Sequence, residues 1–317
     1  MTSSPSIVVV GSLNADLVAR VDRFPAPGET VRGSRFEVFP GGKGANQAYA
    51  AARLGGAVAL IGQVGGDGYG LWLRTHLQDG GVNVHGVGTD ATTSTGIAVI
   101  TTDRTGENTI VVVAGANGTL TPERLEPSAA AIERASVVLL QLEIPLETVG
   151  AAATRARAGG ARVILDPAPA APLPHALLAL ASVVTPNETE LASLAGHAAP
   201  ILPIPTDDLD RLARGLIGRG APAVIVKRGE RGARFVTAER ALDVPAPAVE
   251  AVDTTAAGDA FNGALAVALA EGASLDVAMP FACAAASLSV TRPGAQPSMP
   301  TRHEVEAFVA ARRRGQP

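Results

Sequence analysis

The 317-residue chain has one cysteine, Cys283, so it can form no internal disulfide, and a reducing compartment such as the cytoplasm suits it. Aromatic residues are only 3% of the chain while alanine abounds, so small side chains must fill much of the core. Apolar runs such as 176–184 are far shorter than the roughly 20 residues a bilayer-spanning helix needs, which argues against a membrane protein. Met1–Ser6 lacks the basic stretch and cleavage site of a secretory signal. A basic excess is also missing: 26 Lys and Arg face 30 Asp and Glu, for a net charge of −4, which argues against a general nucleic-acid binder. The five histidines, His76, His85, His175, His197 and His303, show neither zinc-like spacing nor an acyl-transfer triad, so surface or core roles suit them. Lysine is the scarcest charge. Of the 26 basic residues only Lys43 and Lys227 are lysine. A general bias toward arginine explains the scarcity. A lysine that survives such a bias points to a site that fits a compact ammonium and not a broad guanidinium fork.

What remains is 47% hydrophobic and 18% charged, enough to bury a sizeable core in one large or two modest domains. Short β-branched apolar runs predict strands over 6–12, 58–62, 137–141, 162–166, 183–184, 223–227, 235–237 and 242–244. Helical character lies over 44–54, 122–134, 147–158, 207–219, 258–270, 275–290 and 302–313. Alternating strands and helices imply an α/β fold, a three-layer sandwich around a mostly parallel sheet with right-handed crossovers. The pieces near 17–39 and 96–114 break that rhythm; 96–102 and 109–114 flank the turn-forming Asp103–Glu107, a hairpin pattern. They read as a small β lid on one single domain spanning 1–317. The run Arg312-Arg313-Arg314 reads as a solvated tail.

Several segments can carry chemistry. Gly41-Gly42-Lys43-Gly44-Ala45-Asn46 opens a helix, and its glycines allow a ligand close to the backbone. A tight strand–helix turn would use the same residues. The spacing fits neither a Walker A loop nor a dinucleotide fingerprint. Asn14 and Asp16 follow the first strand, where open α/β sheets bind ligands, and an amide with a carboxylate suits sugar hydroxyls. Asp253-Thr254-Thr255-Ala256-Ala257-Gly258-Asp259 leads small residues into a helix N-terminus. Free N–H groups of Ala256–Asp259 and the helix dipole would make an anion hole for a transferring phosphoryl group. Asp259 is either a capping carboxylate or a base for a substrate hydroxyl; the preceding glycine and the nearby Asp253 favour the base. Asn187-Glu188-Thr189-Glu190 opens a helix with Asn187 as N-cap, or faces metal-bound water and phosphate. Lys227-Arg228-Gly229-Glu230-Arg231-Gly232 is a hairpin turn or a wall against a nucleotide.

Together these segments resemble the ribokinase-like (PfkB) carbohydrate kinase family. The resemblance runs from about Val8 to Phe308. It rests on both family signatures, around Gly41–Ala48 and Asp253–Asn262, and on Gly11–Asp16, Ala114–Asn117, Gln141–Glu143, Pro167–Ala170, Thr185–Glu190 and Gly294–Ser298. It implies ATP-dependent phosphorylation of ribose at the 5-hydroxyl. Asn14, Asp16, Gly42, Lys43, Asn46 and Glu143 would hold the sugar, and Asp259 would be the base, with Ala256, Ala257 and Gly258 in the anion hole. Asn187, Lys227, Gly229, Gly232, Gly258 and Cys283 would contact ATP. Glu190, with Asn187, would organise Mg²⁺ through water. Asp253, Thr255, Ser289, Arg292, Gly294 and Ser298 would hold an activating K⁺, mostly through backbone oxygens. The lid would cover the sugar and pair two subunits into a homodimer. Ala256 stands where many relatives have glycine. Other sugar or nucleoside kinases of the family, acting on deoxyribose, 2-keto-3-deoxygluconate or a nucleoside, share most of these residues. A non-catalytic sugar-binding regulator would be expected to lack the base or the anion hole, and both are present.

Overall fold

The chain, described over residues 6–197 and 200–315 in a computed structural model, alternates strand and helix for most of its length. It runs β1 (Ser6–Val10), β2 (Asn14–Val21), β3 (Gly33–Gly41), α1 (Lys43–Arg53), β4 (Ala57–Gly65), α2 (Gly68–Asp79), β5 (Asn83–Asp90), β6 (Gly96–Thr102) and β7 (Asn108–Val113). It continues through α3 (Ala129–Arg134), β8 (Val137–Leu140), α4 (Leu146–Ala158), β9 (Arg162–Leu165), α5 (His175–Leu180), β10 (Val183–Val184) and α6 (Glu188–Leu194). The last elements are α7 (Thr206–Gly218), β11 (Val224–Lys227), β12 (Ala233–Val236), β13 (Ala241–Val244), α8 (Ala257–Ala270), α9 (Leu275–Ser289) and α10 (Arg302–Arg313). Residues 1–5, which carry most of the stretch read as lacking a signal, lie outside the described residues.

Nine strands form one sheet in the order β13-β12-β11-β10-β9-β8-β1-β4-β5. From β11 to β5 every pairing is parallel; β12 and β13 add an antiparallel edge. Side chains of a strand alternate between faces. In β1, Ile7 and Val9 therefore join one core with Leu60, Phe261 and Leu265, while Val8 and Val10 join the other with Leu140, Val149 and Leu209. Both faces are covered, so the central strands are apolar throughout: all four residues of β8 are buried. Alanine lets the layers approach closely. One close contact is at Gly263 of α8, where an added Cβ would stand 2.7 Å from the Ala50 Cβ and 2.9 Å from the Ala51 nitrogen of α1.

A second sheet of four strands, β3-β2-β6-β7, stands at one edge. It is mixed: β2 runs parallel to β6, and the outer pairs are antiparallel.

Three elements escaped the sequence reading. Helix α2 carries Gly68 and Gly70 in its first turn and buries only Gly70, Leu73 and Leu77, so its apolar stripe is thin. Strand β5 reads Asn-Val-His-Gly-Val-Gly-Thr-Asp, with two glycines where strands favour branched side chains. Helix α5 is only six residues long. The helix expected over 122–134 is in fact a 3₁₀ segment, Pro122–Ser128, followed by α3; Pro127 lacks the N–H that would continue an α-helix. Arg312 is not a free tail: it donates to the Ala248 carbonyl and lies 4.6 Å from the Phe308 ring centroid. No helix among the described residues is long and apolar enough to cross a membrane.

Candidate functional site

The polar side chains gather where the parallel strands end. Asn14 lies just past β1, Glu143 past β8, Asp166 past β9, Asn187 past β10, and Lys227 closes β11. Carboxyl ends of parallel strands are where such sheets bind ligands.

Asp259 is the centre. It sits in the first turn of α8 and is buried. The close packing of α1 on α8 brings two amides onto its carboxylate. Asn46 Nδ2 donates to Oδ2 at 3.0 Å and Gln47 Nε2 donates to Oδ1 at 3.0 Å. Burial raises the Asp259 pKa; the Lys43 charge opposes this, Asp166 reinforces it, and the two amides oppose it. Each oxygen keeps a lone pair for a substrate hydroxyl. A carboxylate held in place with its proton affinity raised is suited to accept a proton.

Beside it, Ala256 caps α8 in the left-handed region at φ 58°. This conformation is unfavourable for alanine by roughly 1–2 kcal/mol, and it turns the loop into the helix. The sequence suggested that all N–H groups of Ala256–Asp259 are free. The structure corrects this: Ala257 and Asp259 donate within the loop, to the Thr254 and Ala256 carbonyls at 3.3 and 3.0 Å. Those of Ala256 and Gly258 have no protein acceptor among the described residues, and they point the positive end of the helix at any bound anion.

A cavity of about 900 Å³ opens from this helix end. Lys43, Asp166, Asn187, Glu190, Lys227, Gly229, Gly232, Gly258, Asp259 and Cys283 all line it. Every residue expected to contact a nucleotide is therefore on one wall or another. Gly232 has a further, structural reason to be glycine: φ is 85°, and an added Cβ would strike the Val244 carbonyl. Asn187 and Glu190 form a capping box. Asn187 Oδ1 accepts the Glu190 N–H and Glu190 Oε2 accepts the Asn187 N–H, both at 2.7 Å. The cap leaves Glu190 Oε1 and Asn187 Nδ2 for a further contact. Burial pushes the Cys283 thiol up to about 12, so it is a neutral wall residue.

On the other side of Asp259 lie the residues expected to hold a sugar. Asn14 Oδ1 accepts from Asn117 Nδ2 at 2.8 Å, and Asn117 also clamps the Leu13 backbone through both its N–H and its carbonyl. Glu143 Oε2 accepts the Ser12 hydroxyl at 2.6 Å and the Lys43 N–H at 3.0 Å, fixing the turn that Gly42 makes at φ 87°. Burial, then Glu143 and Asp259, push the Asp16 carboxyl up to about 7. Burial disfavours the Lys43 ammonium, but Asp259, Asp166, Glu143 and Glu190 outweigh it and raise its pKa above the ordinary lysine value. Lys43 and Asp259 are shared by the two halves of the site. Asn46 touches Asp259, and its Oδ1 accepts from Gln296 at 3.1 Å.

Asp253 joins two loops. Its Oδ1 accepts the Thr255 N–H at 2.9 Å and its Oδ2 the Gly294 N–H at 2.8 Å. The hydroxyls of Ser289 and Ser298 are turned to the Ala286 and Ala295 carbonyls, and Arg292 pairs with Glu304 at 2.6 Å. Main-chain oxygens of these residues, and the lone pairs their hydroxyls and the Asp253 carboxylate keep, are left for a cation.

The sequence reading missed Gln47, and it missed the use made of Asp166 and Gln141. Gln47 Nε2 bridges Asp259 and Asp166, its Oε1 accepts from Gln141 at 2.6 Å, and Asp166 in turn accepts from Lys227 at 2.8 Å. Gln47 directly follows Asn46 in a motif already singled out, which was the available signal.

Residues 4–302 match the model of the pfkB family carbohydrate kinases. The chain is 42% identical over 306 residues to the ribokinase of Bacillus subtilis, covering 96% of this chain and 99% of that one. It is 36% identical over 306 residues to the deoxyribokinase of Salmonella typhimurium, covering 96% and 98%. Among solved structures, Arabidopsis thaliana ribokinase complexed with ribose and ATP superposes with a TM-score of 0.90 at 36% identity, covering 96% of this chain and 99% of that one.

Proposed function

The chain belongs to the pfkB family of carbohydrate kinases and is an ATP-dependent sugar kinase, and we propose that its reaction is transfer of the γ-phosphoryl group of ATP to the 5-hydroxyl of D-ribose. The observation that carries this is the position of Asp259, between a polar cluster that holds Asn14, Asp16, Lys43 and Glu143 and a 900 Å³ cavity entered over a helix N-terminus. The 5-hydroxyl oxygen bonds to the γ-phosphorus, the bond to the β,γ-bridging oxygen breaks, and the hydroxyl proton passes to Asp259. Positioning and charge stabilisation supply most of the rate enhancement. The Ala256 and Gly258 N–H groups meet the phosphoryl oxygens. Similarity to a deoxyribokinase favours deoxyribose as the second reading. ADP release over a panel of ribose, deoxyribose, 2-keto-3-deoxygluconate and nucleosides decides: ribose is expected to give the highest kcat/KM, and a higher value for any other compound displaces it.

The site also suits Mg²⁺. Among the described residues no three carboxylate, histidine or cysteine side chains gather into a direct metal site. Glu190 lines the cavity with Oε1 outside its capping contact, which fits an ion held by nucleotide phosphates and water and met through water, as hard Mg²⁺ prefers. When bound, the ion neutralises phosphate charge.

Asp253, tying together the two loops at the base of the anion hole, supports activation by a large monovalent cation held by their carbonyls, with one compensating carboxylate. K⁺ in place of Na⁺ at constant ionic strength is expected to raise turnover several-fold, and Asp253→Ala to abolish the difference. Equal rates in K⁺, Na⁺ and a bulky organic cation would exclude it.

On one face of the lid sheet Phe36 and Val111, each 63% exposed, stand with Val99 and Val113, while Ile110 and Val112 are exposed on the other face. This apolar surface supports a homodimer through the lid. Sedimentation equilibrium should give twice the chain mass, and a monomer at all concentrations would reject it. The single buried thiol supports a reducing, cytoplasmic setting.

A further inference from the structure

Asp166 stands at the end of β9, 1% exposed, and its two oxygens serve opposite ends of the site. Oδ1 accepts from the Lys227 ammonium at 2.8 Å, and Oδ2 accepts from Gln47 Nε2 at 2.8 Å. The same Gln47 nitrogen donates to Asp259 Oδ1 at 3.0 Å. Lys227 reaches over the anion hole: its Nζ lies 3.3 Å from where a Cβ would stand on Gly258. One buried carboxylate thus aims both the cation beside the phosphate-binding N–H groups and the amide that orients the base. We propose that Lys227 is a further catalytic residue, whose ammonium meets the terminal phosphates of the nucleotide, and that Asp166 is the positioning residue that holds Lys227 over the anion hole and Gln47 on Asp259. The inference deepens the kinase reading and rests on it.

The chemistry follows from the surroundings. An ammonium has three donors, and Asp166 uses one. Lys227 is 14% exposed at its side chain and lines the cavity, so its remaining donors face the space a phosphate chain would fill. A fixed cation where negative charge collects needs no reorganisation during transfer, and such preorganised groups are each worth about 10²–10³ in kcat. Without Asp166 the lysine is free to rotate away, and Gln47 loses one of its two acceptors. The chain keeps lysine at only two positions, 43 and 227, and both lie on this cavity. A guanidinium at 227 would crowd Gly258, and with it the gap between the loop and the phosphate site.

The test is a double-mutant cycle on the full chain with two readouts, turnover of ribose and calorimetric binding of ATP and of adenosine without sugar. Lys227→Met is expected to lower kcat roughly 10²-fold and to weaken ATP roughly tenfold while leaving adenosine within twofold. Asp166→Asn is expected to lower kcat at least tenfold with the ribose KM within about threefold. The Asp166→Asn, Lys227→Met double variant should be no more than about threefold slower than Lys227→Met alone, because the asparagine oxygen can still accept from Gln47 and only the hold on Lys227 is lost. The double variant leaves no unpaired buried charge, so it can be measured even where Lys227→Met fails to fold. Near wild-type turnover in the double variant overturns the proposal, and so do fully additive effects. Unchanged discrimination between ATP and adenosine without Lys227 overturns it too. That binding readout uses no sugar, so rejection of ribose in the substrate panel refutes the substrate reading and not this one.

Discussion

Asp259→Asn should lose roughly 10²–10⁴-fold or more in kcat while sugar binding persists. Asparagine fits the space but cannot take a proton. Both carboxylate oxygens now accept from amides, Asn46 on one and Gln47 on the other. An asparagine side chain offers one acceptor and one donor there, so one of these contacts becomes donor against donor. The loss therefore combines missing basicity with some misorientation. Gln47→Met, which removes one orienting amide and keeps the carboxylate, should cost less and separates the two. Single-turnover rates with saturating ATP measure the effect, and calorimetry with ribose measures binding. Near wild-type turnover by Asp259→Asn would remove Asp259 from the role of base.

Asp16→Asn should weaken ribose binding by about a hundredfold and at the same time stabilise the protein at pH 8. The two follow from one cause. Burial holds the Asp16 pKa near 7, well above its ordinary 3.8. Between those values the folded chain binds a proton that the unfolded chain has lost, so stability falls as pH rises through that window. Asparagine removes the penalty. The gain in melting temperature should be largest above pH 7 and vanish toward pH 4. Sugar capture needs the charged form, which accepts hydroxyl hydrogen bonds strongly. In the wild type, kcat/KM for ribose should accordingly rise with pH through about 7. A variant that melts lower than wild type at pH 8 would show that Asp16 is not a carboxylate held at a cost to stability.

Much of this site was legible because its parts are short, glycine-punctuated segments at strand ends. Gly42-Lys43-Gly44 and Ala256-Ala257-Gly258-Asp259 announce close backbone approach by residue type alone. The parallel sheet was legible because runs such as Val137–Leu140 are apolar throughout. The pairing of Gln47 with Asp166 was not, because the residues are 119 apart in sequence and meet only through the packing of α1 against the sheet and α8. Which N–H groups stay free at the α8 terminus was also hidden, since it depends on the left-handed turn at Ala256, an alanine where the chain needs φ 58°. Strand β5 and helix α2 failed for the opposite reason. Their glycines dilute local propensity, and tertiary pairing with β4 and burial of Leu73 and Leu77 hold them.

The most direct measurement is the identity of the product. Incubation of the chain with ATP, Mg²⁺ and ¹³C-labelled ribose, followed by ³¹P and ¹³C NMR, should give ADP and one phosphate monoester whose phosphorus couples to C5. Phosphate on the anomeric hydroxyl, or ATP consumed with no phosphorylated sugar, would contradict the account.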